Sequence, residues 1–163
     1  MRFLLLDKIL ELDPEGGLAR GVKCVALSDD VFADHFPGSP VMPGALMLEG
    51  MAQLAGVLAE ARVKRQGRSD LMAVLTMVDR ARFRRVVRPG DRLLYRAEVV
   101  SVSEDGARMT TMALLDAAGT DEQPKAAEAE ITFAFAQIES ERMLQMRQDV
   151  LNTWLTGAIE ERI

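Results

Sequence analysis

The chain has 163 residues, 48% of them apolar and 28% charged, with a formal net charge of −5. That is the length and composition of one globular domain with a real core, and a single cysteine, Cys24, excludes an internal disulfide framework and suits a reducing cytoplasm. No apolar run reaches membrane-spanning length, and with aromatics at 5% and no recognition motif, nucleic acid is not an expected partner.

The opening Met1-Arg2-Phe3-Leu4-Leu5-Leu6 is interrupted by Asp7 and Lys8, and no small-residue cleavage pattern follows, so no secretory leader is expected. Phe3 to Leu12 and Leu18 to Ser28 read as two strands joined by the turn residues Asp13-Pro14-Glu15-Gly16-Gly17. Cys24 falls in the alternation of the second strand, which predicts a core thiol rather than a nucleophile.

Between Asp34 and Pro43, Pro37, Pro40, Gly38 and the Pro43-Gly44 pair forbid regular structure and predict a rigid, shaped loop. From Gly44 the chain turns to strong helix formers, apolar nearly all round from Ala45 to Ala59, and the helix is expected to fade between Arg62 and Arg65, near Gly67. A helix so apolar belongs in a core. Within it stands Glu49, with Gln53 one turn later where the two side chains can meet. Burial among apolar side chains favours the neutral, proton-donating form of such a carboxyl. The free N–H groups of Gly44, Ala45 and Leu46 and the positive end of the helix dipole make a site for a developing oxyanion. His35, the only histidine, lies fourteen positions before Glu49, and the loop between them can bring a base and an acid to one pocket, within a chain or across a subunit boundary. Taken singly, the histidine also reads as a structural residue and the glutamate as a solvated one.

Leu71 to Val78 reads as a short strand. Beyond it, alternation places Leu93, Tyr95, Ala97 and Val99, then Met109, Thr111, Ala113 and Leu115, then Ala129, Ile131, Phe133 and Phe135 on inward faces. Glu104-Asp105-Gly106 and Ala118-Gly119-Thr120 supply the turns. One long apolar helix between early and late antiparallel strands predicts an α+β fold with the sheet wrapped around the helix. In the tail from Gln137 to Ile163, Ser140 caps a helix, and Met143, Met146, Val150, Trp154 and Ala158 with Leu144, Leu151, Leu155 and Ile159 make an amphipathic stripe. The stripe packs on the domain or a neighbouring subunit, or docks another protein; five acids against three arginines argue against an anionic membrane surface.

His-Phe-Pro-Gly-x-Pro-Val-x-Pro-Gly-x-Leu-x-Leu-Glu-x-Met-Ala-Gln, from His35 to Gln53, resembles the signature of the FabZ-type beta-hydroxyacyl-(acyl-carrier-protein) dehydratases. Asp79 to Asp91 resembles a downstream segment of that family and Phe3 to Leu10 its first strand, so the likeness runs from about Phe3 to Phe135. FabA-type relatives, which also isomerise the double bond, carry Asp in place of Glu49. The resemblance implies a hot-dog domain over residues 1–136 with a C-terminal helical extension over 137–163, assembled as a homodimer or higher homo-oligomer whose active site combines a His and a Glu from different subunits. It implies dehydration of 3-hydroxyacyl-acyl-carrier-protein in fatty-acid or related lipid or polyketide synthesis, with no cofactor beyond the phosphopantetheine that carries the substrate.

Loss of water from a 3-hydroxyacyl thioester needs a base at C2 and an acid at the C3 hydroxyl. His35 and Glu49 fit those roles, Gly44 and Ala45 fit thioester binding, and Gln53, Phe36, Pro37 and Gly38 fit support. Between Arg62 and Arg96 eleven Lys and Arg face three Asp, a local +8 in an acidic chain. This band suits the acidic carrier protein, with Arg82, Arg84, Arg85 and Arg88 as candidate contacts, or is a set of solvated arginines. A hot-dog thioesterase and a non-catalytic acyl-thioester binding module remain as alternatives. The chain departs from the family pattern in its short N-terminus, in Val86, in Gly50 where Ala is common, and in Asp34, whose charge beside His35 would favour the imidazolium.

Overall fold

The computed structural model describes residues 3–116 and 123–156. Strand β1 (Lys8–Asp13) turns into β2 (Leu18–Cys24) through a tight connection. The Asp13 carboxylate accepts from the backbone N–H groups of Glu15 and Gly16 at 3.1 and 2.8 Å, and Gly17 takes φ +72°, which closes the turn. After a short 3-10 turn at Asp30–Ala33 and the proline-rich loop comes helix α1 (Gly44–Lys64), ended as expected near Gly67. Four long strands follow: β3 (Leu71–Phe83), β4 (Arg92–Val102), β5 (Gly106–Leu115) and β6 (Lys125–Gln137). Helix α2 (Glu141–Leu155) comes last, its first turn capped by Ser140, whose Oγ accepts from the Met143 N–H at 3.4 Å.

The six strands form one antiparallel sheet in the order β1-β2-β4-β5-β6-β3. It wraps around α1, the hot-dog arrangement implied by the resemblance. Leu54, Leu58 and Met51 of α1 meet Leu93, Tyr95 and Ala97 of β4, Met109 of β5 and Ile131 of β6, all fully buried. The period-two alternation of β4, β5 and β6 therefore sets which faces meet the helix.

Several expectations need correction. The first strand begins at Lys8 rather than Phe3, because the Leu5 N–H donates to Gln53 of α1 instead of a neighbouring strand. Cys24 is exposed, not in the core: Lys23 turns inward to bond Asp7, and the Cys24 N–H donates to the same carboxylate at 2.6 Å. Strand β3 continues past Val78 to Phe83, since its arginines pair with acids on β6, and a bulge between Asp79 and Arg82 holds Arg80 at φ +52°. In α2 Trp154 is buried and Val150, Leu151 and Leu155 pack against the core, but Met143 and Met146 are exposed. The Ala118-Gly119-Thr120 turn, Ala158 and Ile159 lie outside the described residues.

Candidate active site

Two prolines and a left-handed glycine make the loop before α1 a defined shape. Gly38 has φ +73°, the Ser39 N–H donates to the Phe36 carbonyl, and the Val41 N–H donates to the His35 carbonyl at 2.9 Å. The Met42 N–H reaches the Val87 carbonyl at 2.8 Å and ties the loop to the segment after β3. Phe36 is exposed and stacks on the imidazole of His35 with centroids 4.1 Å apart. Pro37 is exposed beside it. His35 Nδ1 lies 2.7 Å from the Val41 carbonyl oxygen. A carbonyl only accepts, so Nδ1 is the donor, and in the neutral ring Nε2 keeps its lone pair. Among the described residues, no ion pair joins Asp34 to His35.

Pro43 precedes the first turn of α1 without a side-chain cap. The Leu46 N–H, expected as a third free donor, bonds the Pro43 carbonyl at 3.0 Å, as does that of Met47 at 3.2 Å. The N–H groups of Gly44 and Ala45 have no partner among the described residues. A methyl at Gly44 would lie 2.9 Å from the Phe83 ring, so only glycine lets that ring cover the helix start.

Along α1 the residues facing the sheet are buried, whereas Glu49, Gln53, Val57 and Glu60 are half-buried and share one face. Gln53 is fully used: its Nε2 donates to Glu49 Oε1 and to the Phe3 carbonyl, both at 3.0 Å, and its Oε1 accepts from the Leu5 N–H at 2.9 Å. It fixes the acid and at the same time anchors the short N-terminal segment. This face lines a cavity of about 780 Å³, walled also by Leu71, Ala73 and Leu75 of β3, Phe133 of β6 and residues of α2. His35 is not among its lining residues. The chain thus brings Glu49 and Gln53 together and holds its own His35 elsewhere.

Glu60, further along the same face, went unnoticed in the sequence. Its carboxylate accepts from the Ala73 N–H at 2.8 Å and pairs with Arg147 of α2. Burial pushes its pKa up against the opposing pull of Arg147. The signal was available: like Glu49, Glu60 stands among apolar helix residues. Arg147 had no such signal.

The candidate carrier-protein contacts Arg82, Arg84, Arg85 and Arg88 are all exposed. Arg84 and Lys125 bond Glu128, Arg82 approaches it at 4.0 Å, and Arg80 and Arg108 bond Glu130, so β6 neutralises part of the band. Arg85 makes no ion pair among the described residues, and Arg88 donates to the Pro40 carbonyl of the loop at 3.3 Å. Among the described residues no group of three or more His, Cys, Asp or Glu is placed to hold a metal ion, and no helix is long and apolar enough to cross a membrane.

A FabA-like domain is matched by residues 1–130, which hold the loop, α1 and five complete strands. The chain belongs to the FabA-like family. It is 41% identical over 133 residues to the 3-hydroxyacyl-[acyl-carrier-protein] dehydratase FabZ of Protochlamydia amoebophila, covering 82% of this chain and 80% of that protein. Identity to the FabZ of Fusobacterium nucleatum is 37% over 136 residues, covering 83% and 89%. Among solved structures, a Streptococcus mutans protein bound to acetyl CoA is similar with a TM-score of 0.59 at 14% identity, over 82% of this chain and 90% of that one. The ApeI:P dehydratase heterocomplex of Xenorhabdus doucetiae is similar at 0.54 and 18% identity, over 74% and 90%. At such identities these two structures speak to the fold alone. The matched range includes the whole His35–Gln53 motif.

Proposed function

We propose that this protein dehydrates 3-hydroxyacyl-acyl-carrier-protein to the trans-2-enoyl thioester, with His35 as base and Glu49 as acid. The observation that carries the reading is the pair of fixed side chains. His35 is held through Nδ1 with Nε2 free to accept, and Glu49 is held by Gln53 on the wall of a largely apolar cavity. His35 Nε2 takes the C2 proton as the C2–C3 double bond forms, and protonated Glu49 donates to the C3 hydroxyl, which leaves as water. The Gly44 and Ala45 amides polarise the thioester carbonyl. Phe36, Pro37 and Gly38 shape the loop, and Gln53 positions the acid.

Since His35 does not line the cavity of its own chain, the complete site draws His35 from one subunit and Glu49 from the other. Strand β3 supports such a homodimer. It is an edge of the sheet, and Val74, Leu75, Met77 and Phe83 on it are exposed apolar side chains of the kind another copy covers. The carrier protein docks on Arg82, Arg84, Arg85 and Arg88, of which Arg85 has the freest charge. The reaction needs no cofactor beyond the phosphopantetheine arm, and the protein works in the cytoplasm as a catalytic domain over 1–136 with an extension over 137–163.

The test is incubation with a synthetic 3-hydroxyacyl thioester on acyl carrier protein, followed by mass spectrometry, for wild type, His35→Ala and Glu49→Gln. Loss of water in wild type, reduced about 10²- to 10⁴-fold in each variant, is the expected result. Release of free acid instead establishes a thioesterase, and tight binding without turnover an acyl-binding module.

A further inference from the structure

The sheet has two edges, β1 and β3, and between them it leaves one face of α1 uncovered. Helix α2 lies over that opening. Trp154 is buried at the end near β1, where Leu12 and Pro14 share the cavity wall, and Arg147 pairs with Glu60 on α1. Between the two helices lies the 780 Å³ cavity, within the range of about 300–1,000 Å³ usual for small-molecule pockets. Its wall runs along α1 from Glu49 to Lys64, fifteen residues or about 22 Å of helix. Val57, Leu75, Phe133, Leu144 and Leu151 supply apolar lining, the Glu60–Arg147 pair bridges the two helices, and Lys64, Arg65 and Arg68 stand at the C-terminal end of α1. The family match ends at residue 130, whereas α2 begins at Glu141, so this cover lies outside the part shared with the family.

We propose that α2 is the outer wall of the pocket that receives the acyl chain, and that it sets the chain length this protein accepts. The inference rests on the dehydratase reading, because Glu49 is what joins the cavity to the reacting carbons. An acyl chain fits the cavity better than a peptide segment does. The lining offers apolar surface along its length, and two pairs of its polar groups, Glu49 with Gln53 and Glu60 with Arg147, already satisfy one another.

Two measurements separate this proposal from the reading beneath it. The first is kcat/KM for 3-hydroxybutyryl-, 3-hydroxyoctanoyl- and 3-hydroxymyristoyl-acyl-carrier-protein, in wild type, Leu151→Trp and the partly exposed Leu144→Trp, which places the same bulk where folding is least disturbed. The butyryl substrate is expected to change by less than about twofold. The myristoyl substrate is expected to fall tenfold or more, since each methylene denied burial is worth about fourfold. Equal changes at all three lengths, or none, overturn the proposal. The second uses wild type, whose only tryptophan is Trp154 in the cavity wall. Its emission is expected to shift with myristoyl-pantetheine and not with butyryl-pantetheine. If no substrate turns over but that shift is seen, the dehydratase reading fails and the pocket stands. If turnover is seen without the shift, the wall assignment fails.

Discussion

Gly50 on α1 and Tyr95 on β4 are fitted to one another: a methyl built on Gly50 would lie 2.5 Å from the Tyr95 phenol oxygen. The same methyl would lie 2.7 Å from the Leu5 carbonyl. Tyr95 is fully buried, its hydroxyl has no hydrogen-bond partner among the described residues, and burial, reinforced by the Asp7 charge, pushes its pKa up. Gly50 is thus the space in which this tyrosine sits. Gly50→Ala is expected to cost about 1–3 kcal/mol, and Tyr95→Phe to be neutral or stabilising by up to about 1 kcal/mol, because an unpaired hydroxyl is removed. Urea unfolding of the two single variants and the double variant checks this. The double variant should recover only part of the loss, since the Leu5 carbonyl stays in place.

Gln53 serves both the acid and the N-terminal segment. Gln53→Leu removes the donor to Glu49 and the acceptor for the Leu5 N–H at nearly constant volume. Stability is expected to fall by about 1–3 kcal/mol from the unpaired Leu5 and Phe3 backbone groups. Turnover is expected to fall, while Gln53→Glu keeps an acceptor for Leu5 and restores stability more than rate. Steady-state kinetics across pH beside thermal unfolding separates the two effects.

Two carboxyls predict opposite slopes of stability in adjoining pH windows. Hydrogen bonds from Lys125 and Arg84 hold the pKa of Glu128 down to about 2, below its ordinary 4.5. Its contribution is therefore complete above 4.5 and lost as pH falls towards 2. Burial raises the pKa of Glu60, so its contribution is complete below 4.5 and lost as pH rises through the raised folded value. Glu128→Gln should flatten the acid limb and Glu60→Gln the limb above 4.5, read from denaturant midpoints across pH.

The proposed dimer is tested on β3. Met77→Glu places a charge on the exposed edge without touching the core, where Met77 is 49% exposed. The expected outcome is a monomer by sedimentation with unchanged circular dichroism and no turnover. A dimer that persists and remains active would remove β3 from the interface.

Much of the fold was legible because its signals are local and strong. The apolar run of α1 is bounded by Pro43 and Gly67, and β4, β5 and β6 alternate cleanly, so element type, order and inward faces all follow from spacing. The His35–Gln53 motif was legible for the same reason. What escaped depends on partners far away in the chain. Lys23 turns inward only because Asp7 awaits it, which reverses the expected burial of Cys24. The charged run from Asp79 reads as a strand end until Glu128 and Glu130 lie opposite. The cover over α1 depends on Arg147 meeting Glu60 across 87 positions, a pairing that neither local sequence announces.

Strand β3 has one neighbour in the sheet, and that neighbour is β6, the last strand made. A ribosome therefore releases β3, with its apolar side chains, well before anything in the chain can pair with it. The early hairpin and α1 can form meanwhile, but the sheet closes only when residues up to Gln137 have emerged. During synthesis this segment is a natural place for a holding chaperone, and the stretch most exposed to aggregation when translation stalls short of β6.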